Sequence, residues 1–158
     1  MVAGEQILVA GSQIGGVPYS IFDLEPNGSR DGARDIVFRD NITGAAGLYW
    51  LSGLGAGNEV GDVVVTGNVM REPTAWLVAI FGVDGGTRGP FLIENNRVVV
   101  QRIAPYEGAF FFSRSSDVVV RGNTGTFPAD SSNGVVHVEY SQRVTVAGNR
   151  IAGSGSPV

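Results

Sequence analysis

RVTVAGNRI, Arg143–Ile151, has close relatives along the whole 158-residue chain. They are ILVAGSQI (Ile7–Ile14), DIVFRDNI (Asp35–Ile42), DVVVTGNV (Asp62–Val69), FLIENNRV (Phe91–Val98) and DVVVRGNT (Asp117–Thr124). Aligned on one turn residue they give Ser12, Asn41, Asn68, Asn96, Asn123 and Asn149, with spacings of 29, 27, 28, 27 and 26. A fixed period of this size marks a repeat architecture, in which each unit must stack on its neighbours to bury its apolar face.

The residue types explain the unit. Val63 and Val65, Val118 and Val120, and Val144 and Val146 are β-branched and alternate, as in a short strand with one buried and one wet face. The Asn that follows, usually after Gly (Gly67, Gly122, Gly148), suits a left-handed bend that turns the chain without reversing it. Repeated at constant spacing, these bends let each coil lie on the last, with the Asn amides bonded in a ladder. The fold class expected is all-β: a single-stranded right-handed parallel β-helix of about six coils, occupying residues 1–158 as one domain. On this register Val146 lies inside, where a charge is expected to unfold the chain.

Two longer stretches, GVVHVEYSQRVTVAGNRI (Gly134–Ile151) and GAFFFSRSSDVVVRGN (Gly108–Asn123), resemble the β-helix repeat of the pectin-lyase-like superfamily. FDLEPN (Phe22–Asn27) is similar to a strand ending common in its bacterial members. The resemblance implies a carbohydrate-recognising or carbohydrate-active module, acting on a polysaccharide or glycan outside the cell. In lyase relatives, acidic residues hold Ca²⁺ against a uronate and an Arg or Lys removes a proton. The scaffold alone carries many activities, including tailspikes and adhesins.

Composition narrows the partners. A net charge of −4, a pI near 4.9 and no basic stripe argue against nucleic acid. There is no Cys, hence no disulfide or thiolate metal site, and all 11 basic residues are Arg. The apolar run WLVAIF, Trp76–Phe81, is too short to cross a bilayer, and the first residues show no secretion signal.

A second strand is expected upstream of each motif, in SIFDLEP, GLYWLSG, AWLVAIFG, GAFFFSR and GVVHVEYS, with Ser115 and Ser141 at the corner after it. Its register points Phe22, Leu24, Tyr49, Leu51, Phe110, Phe112, Val136 and Val138 inward. Asp23, Glu25, Trp50, Ser52, Phe111, His137 and Glu139 then point outward. In the third coil, Trp76, Val78 and Ile80 compete with Leu77, Ala79 and Phe81, since a one-residue slip exchanges the two sides. Gly-rich corners after Pro26, Ser52 and Phe81 are expected to form a wall beside this strand face.

Candidate catalytic residues are the pairs Asp23 with Glu25 and His137 with Glu139. Paired carboxylates suit glycoside hydrolysis, and a His beside a Glu suits proton abstraction. A hydrated acidic edge and an exposed polar ladder are the plainer readings. The pairs lie about four coils apart, on the order of 19 Å, too far to share one proton transfer. Trp50, Trp76, Tyr106 and Phe111, with Arg114, are the candidate substrate contacts, because rings stack on sugars and also anchor protein interfaces. No protein metal site is expected from the residues themselves. The Asn-x-Asp, Asp-Asp, Gly-His-Gly and Arg-x-Lys patterns of polygalacturonase-like hydrolases are missing, so whether the module is an enzyme stays open. The second class is an assembly module that forms a homo-oligomer through exposed aromatic and uncapped surfaces. Neither end carries a recognisable cap, which fits either a fragment of a longer solenoid or an end closed by another copy.

Overall fold

Strands that recur at the repeat spacing stack into three parallel sheets wound around one interior. The computed structural model describes residues 4–26, 31–53, 59–71, 75–82, 88–100, 108–127 and 135–153. The first face stacks Gly4–Ala10, Gly32–Arg39, Val63–Thr66, Phe91–Glu94, Ser116–Arg121 and Gln142–Ala147, with Glu59–Val60 beside Gly32–Arg39. After one tight corner the second face stacks Gln13–Ile14, Ile42–Ala45, Val69–Arg71, Arg97–Val99, Thr124–Phe127 and Arg150–Gly153. The third stacks Phe22–Leu24, Leu51–Gly53, Val78–Ile80, Phe110–Ser113 and Val136–Glu139. Every pairing is parallel, and there is no helix among the described residues. The fold is therefore the expected β-solenoid. Among the described residues two faces have six rungs and the third has five, so there are fewer complete three-sided turns than the six coils expected.

The tight corner works through two adjacent positions. The residue before each ladder position takes the left-handed conformation: Gly11, Asp40, Gly67, Asn95, Gly122 and Gly148, with φ between 55° and 67°. This lets the next side chain turn inward. The Asn amides then form a continuous ladder. Asn96 Oδ1 accepts from both the backbone N–H (2.9 Å) and Nδ2 (3.0 Å) of Asn68, while its own Nδ2 donates to Val65 O and Asn123 Oδ1. The same pattern links Asn41 to Asn68 and Asn123 to Asn149, and Ser12 N–H donates to Asn41 at the start. A smaller ladder marks the far corner, where Ser141 Oγ accepts from Ser115 N–H and Arg114 and Tyr140 are left-handed.

Inward columns fill the interior. Ile36, Val63, Phe91 and Val118 stack at one position of the first face, and Phe38, Val65, Ile93 and Val120 at the next. Leu24, Val78, Ile80, Phe110 and Phe112 meet them from the third face. The inward set read for Phe22, Leu24, Leu51, Phe110 and Phe112 holds, and the third coil is resolved with Val78 and Ile80 inside. The last coil differs: Val144 and Val136 pack against the core, but Val138 and Val146 remain 40% and 52% exposed. The expectation that Val146 is enclosed is thus corrected.

Trp50 is also corrected. It lies inside, fully buried, and Tyr49 takes the outer side. The strand begins only at Leu51, so Trp50 belongs to the preceding corner and strict alternation does not reach it. Its ring meets Phe22 edge-on at 4.9 Å and Phe38 at 6.3 Å, and its Nε1–H donates to Thr43 Oγ1 at 2.8 Å. Thr43→Val should strand that indole N–H in an apolar interior. The expected loss, about 1–3 kcal/mol, is readable by urea denaturation. A loss below a few tenths would show that the indole finds another acceptor.

Candidate functional site

The third face is where chemistry-bearing side chains gather. Register places Asp23, Ser52, Ala79, Phe111 and His137 in one outward column. Glu139 stands beside Ser113 in the next. Along the chain, this face is entered by longer connections and in its first three coils also left by them, whereas the passage from first to second face is a two-residue bend, as is the exit from the last two strands. The lengthened corners fall mainly on residues 27–30, 54–58 and 83–87, outside the described residues, as does Tyr106.

Small Ala79 makes room for a cluster of rings around it. Tyr49 and Phe81 are 6.2 Å apart, Phe81 and Phe111 4.9 Å, and Phe111 and His137 5.6 Å with nearly parallel planes. Trp76 lies 5.2 Å from Phe111 and 6.0 Å from His137. Trp76 and Phe111 therefore face outward but pack under their neighbours, at 5% and 8% exposure. The rings with open surface are Tyr49, Phe81 and His137, all half-buried. Sequence reasoning missed Tyr49, which it placed inside, and Phe81, left undecided by the one-residue ambiguity of WLVAIF. The signal was present in the single small residue, Ala79, between two aromatics.

Polar groups close the strip at each end. At one end Ser52 Oγ donates to Asp23 Oδ1 at 2.8 Å, with Ser20 Oγ 2.9 Å away; Ser52 is fully buried. Glu25 is half-buried nearby. At the other end His137 Nε2 lies 3.0 Å from Glu139 Oε1. Arg114 is exposed, with its guanidinium 5.5 Å over the Tyr140 ring. The structure thus brings His137 and Glu139 into contact and keeps Asp23 apart from them, at the opposite end of the five-rung face. Among the described residues no three acidic or histidine side chains converge on one point.

Arg88 had no forecast. It is fully buried, in the inward column that continues to Ser115, and its Nη1 donates to Gly53 O at 2.9 Å. Burial pushes its pKa below the ordinary guanidinium value. An added Cβ at Gly53 would lie 2.7 Å from the Ile80 side chain and 3.7 Å from this guanidinium, so glycine leaves the room both need.

These features define a parallel β-solenoid with an aromatic strip on one outer face, bracketed by acidic and imidazole groups. Compared with family models, curated proteins and solved structures, the chain matches none.

Proposed function

We propose that the protein is a glycan-binding module whose third face receives a polysaccharide chain along the solenoid axis. The observation that carries this is the run of rings from Tyr49 through Phe81 and Phe111 to His137, stepping with the rungs and ending in hydrogen-bonding groups on both sides. Ring faces suit the apolar faces of sugars, and the polar ends suit hydroxyls. Trp76 and Phe111 serve as backing that fixes the open rings rather than as contacts. The resemblance of the repeat to pectin-lyase-like proteins points the same way. Asp23, Glu25, Glu139 and Arg114 act here as hydrogen-bonding groups. A hydrolase needs two carboxyls about 5–9.5 Å apart; Asp23 and Glu139, about four rungs apart, cannot be such a pair, and in the Asp23–Glu25 pair the Asp23 carboxylate already accepts from Ser52 Oγ.

The His137–Glu139 contact favours a second reading, in which His137 is a general base on an edge of the same strip. One panel separates the two. Affinity electrophoresis in gels of acidic and neutral polysaccharides should show retardation by at least one polymer, and reducing ends should be released only under the second reading. Tyr49→Ala and His137→Ala should each weaken binding by about 3–10-fold with circular dichroism unchanged. Absence of retardation on every polymer, or retardation of both variants as strong as that of the unaltered protein, would remove the glycan reading.

A further inference from the structure

The outward positions of the first face form six triplets, one per rung: Gln6–Leu8–Ala10, Asp35–Val37–Arg39, Asp62–Val64–Thr66, Pro90–Leu92–Glu94, Asp117–Val119–Arg121 and Arg143–Thr145–Ala147. The middle members are apolar for five rungs, where simple alternation would place polar side chains on an exposed strand face. Leu8 is 59% exposed, and Val37, Val64, Leu92 and Val119 are half-buried. Val37, Val64, Leu92 and Val119 floor an open groove of about 480 Å³, lined also by Asp35, Asp62, Pro90 and Asp117. An exposed apolar stripe on a regular sheet marks an interaction surface.

The rails beside the stripe identify its occupant. The upstream rail carries Asp35, Asp62, Asp117 and Arg143, the last two paired with each other; the downstream rail carries Arg39, Glu94 and Arg121, the last two likewise paired, with Arg39 and Arg121 on the same rungs as Asp35 and Asp117. Two copies can meet face to face about a two-fold axis lying in the interface. If that axis runs along the solenoid, each upstream rail faces the partner's downstream rail on the same rung. Asp35 then meets the partner's Arg39, and the Asp117–Arg143 pair meets the partner's Arg121–Glu94 pair with Asp117 opposite Arg121, each twice by symmetry. If the axis runs along the strands, Asp35 meets the partner's Asp117 and Arg39 the partner's Arg121, all like charges. The remaining rungs oppose Gln6 to Ala10, Asp62 to Thr66, Pro90 to Glu94 and Arg143 to Ala147 in the first arrangement, with no like charges on one rung. We propose that the protein self-associates through this face, two copies packing stripe on stripe with parallel solenoid axes.

Six rungs at about 4.8 Å and five strand residues at about 3.3 Å give on the order of 400–500 Å² per copy. That is below the roughly 800 Å² of a standard partner surface, so the dimer forms at high concentration and dissociates on dilution. The inference is independent of glycan binding on the third face.

The chain has no cysteine, so one introduced thiol is unique. In the parallel dimer Val37 faces its own counterpart across the two-fold axis; in the antiparallel one it faces Val119, three rungs away. Val37→Cys should therefore be joined to a covalent dimer by a short bis-maleimide, whereas the antiparallel arrangement would join only a mixture of Val37→Cys with Val119→Cys. Sedimentation velocity from about 10 μM to about 1 mM should show a monomer–dimer equilibrium, weakened at least about tenfold by Leu92→Arg or Asp35→Arg. An arginine is compatible with the left-handed backbone at position 35, since Arg143 adopts φ 52° at the matching rung position. Asp35→Arg combined with Arg39→Asp should restore association. Monomer throughout the range, or a dimer indifferent to Leu92→Arg and to Val64→Lys, would overturn the proposal. A dimer captured only in the thiol mixture would overturn the parallel arrangement.

Discussion

Val120→Asp is expected to abolish the folded state at room temperature, while Val146→Asp, one rung away in the same interior column, leaves it standing. The two positions are register partners. Val120 is fully enclosed by neighbouring rungs and Val146 is half open to water. A carboxylate at position 120 has no partner and little access to solvent, so it costs several kcal/mol, against a total stability of about 5–15 kcal/mol. At position 146 the charge can stay hydrated, and the cost should be within about 1 kcal/mol. Far-ultraviolet circular dichroism and urea denaturation of the two variants check the pair. Equal damage would mean that the last coil is enclosed in solution, for instance by another chain.

Asn96→Ala should lower the unfolding free energy by about 3–5 kcal/mol. Alanine removes two donors and the acceptor of two more bonds from a corner with almost no solvent. Asn68 N–H loses its acceptor and Val65 O loses a donor, each buried group costing roughly 1–3 kcal/mol before relaxation, while Asn68 Nδ2 keeps Phe38 O and Thr66 O and Asn123 Oδ1 keeps the backbone N–H of residue 96. Asn149→Ala makes a useful control. It also deprives Asn123 of an acceptor, but Asn149 is half-buried and water can replace part of what is lost. Its cost should be no more than about half as large. A change under about 1 kcal/mol in Asn96→Ala would mean that backbone pairing alone holds the corner.

The solenoid was legible because its determinants are local and repeated. Asn at constant spacing, a left-handed residue before it and alternating Val need no knowledge of distant contacts. The face of each strand was legible wherever the strand was long enough for alternation to apply, as in Phe110–Ser113. It failed at Trp50, which stands one residue outside a three-residue strand, where the corner rather than the pleat sets direction. The pairs Asp23–Glu25 and His137–Glu139 could be placed on the outer face, but not the burial of Trp76 and Phe111 beneath their neighbours. That depends on which rings share a rung-to-rung stack, and neither composition nor period reveals it. The apolar stripe was visible in VVV and FLIE, where the central residue is as apolar as its flanks. Alternation had been given precedence over it.

Because every rung is held only by the rungs above and below it, the solenoid has a mechanical grain. Tension applied at its two ends acts along the stack. It loads one interface of backbone bonds at a time, opening an end coil before its inner neighbour. Each released coil of about 27 residues lengthens the chain by roughly 90 Å at full extension. Fixed in a wall or shell by its ends, such a molecule would yield in equal increments and absorb work at each one, as a chain of sacrificial links rather than a single brittle rod.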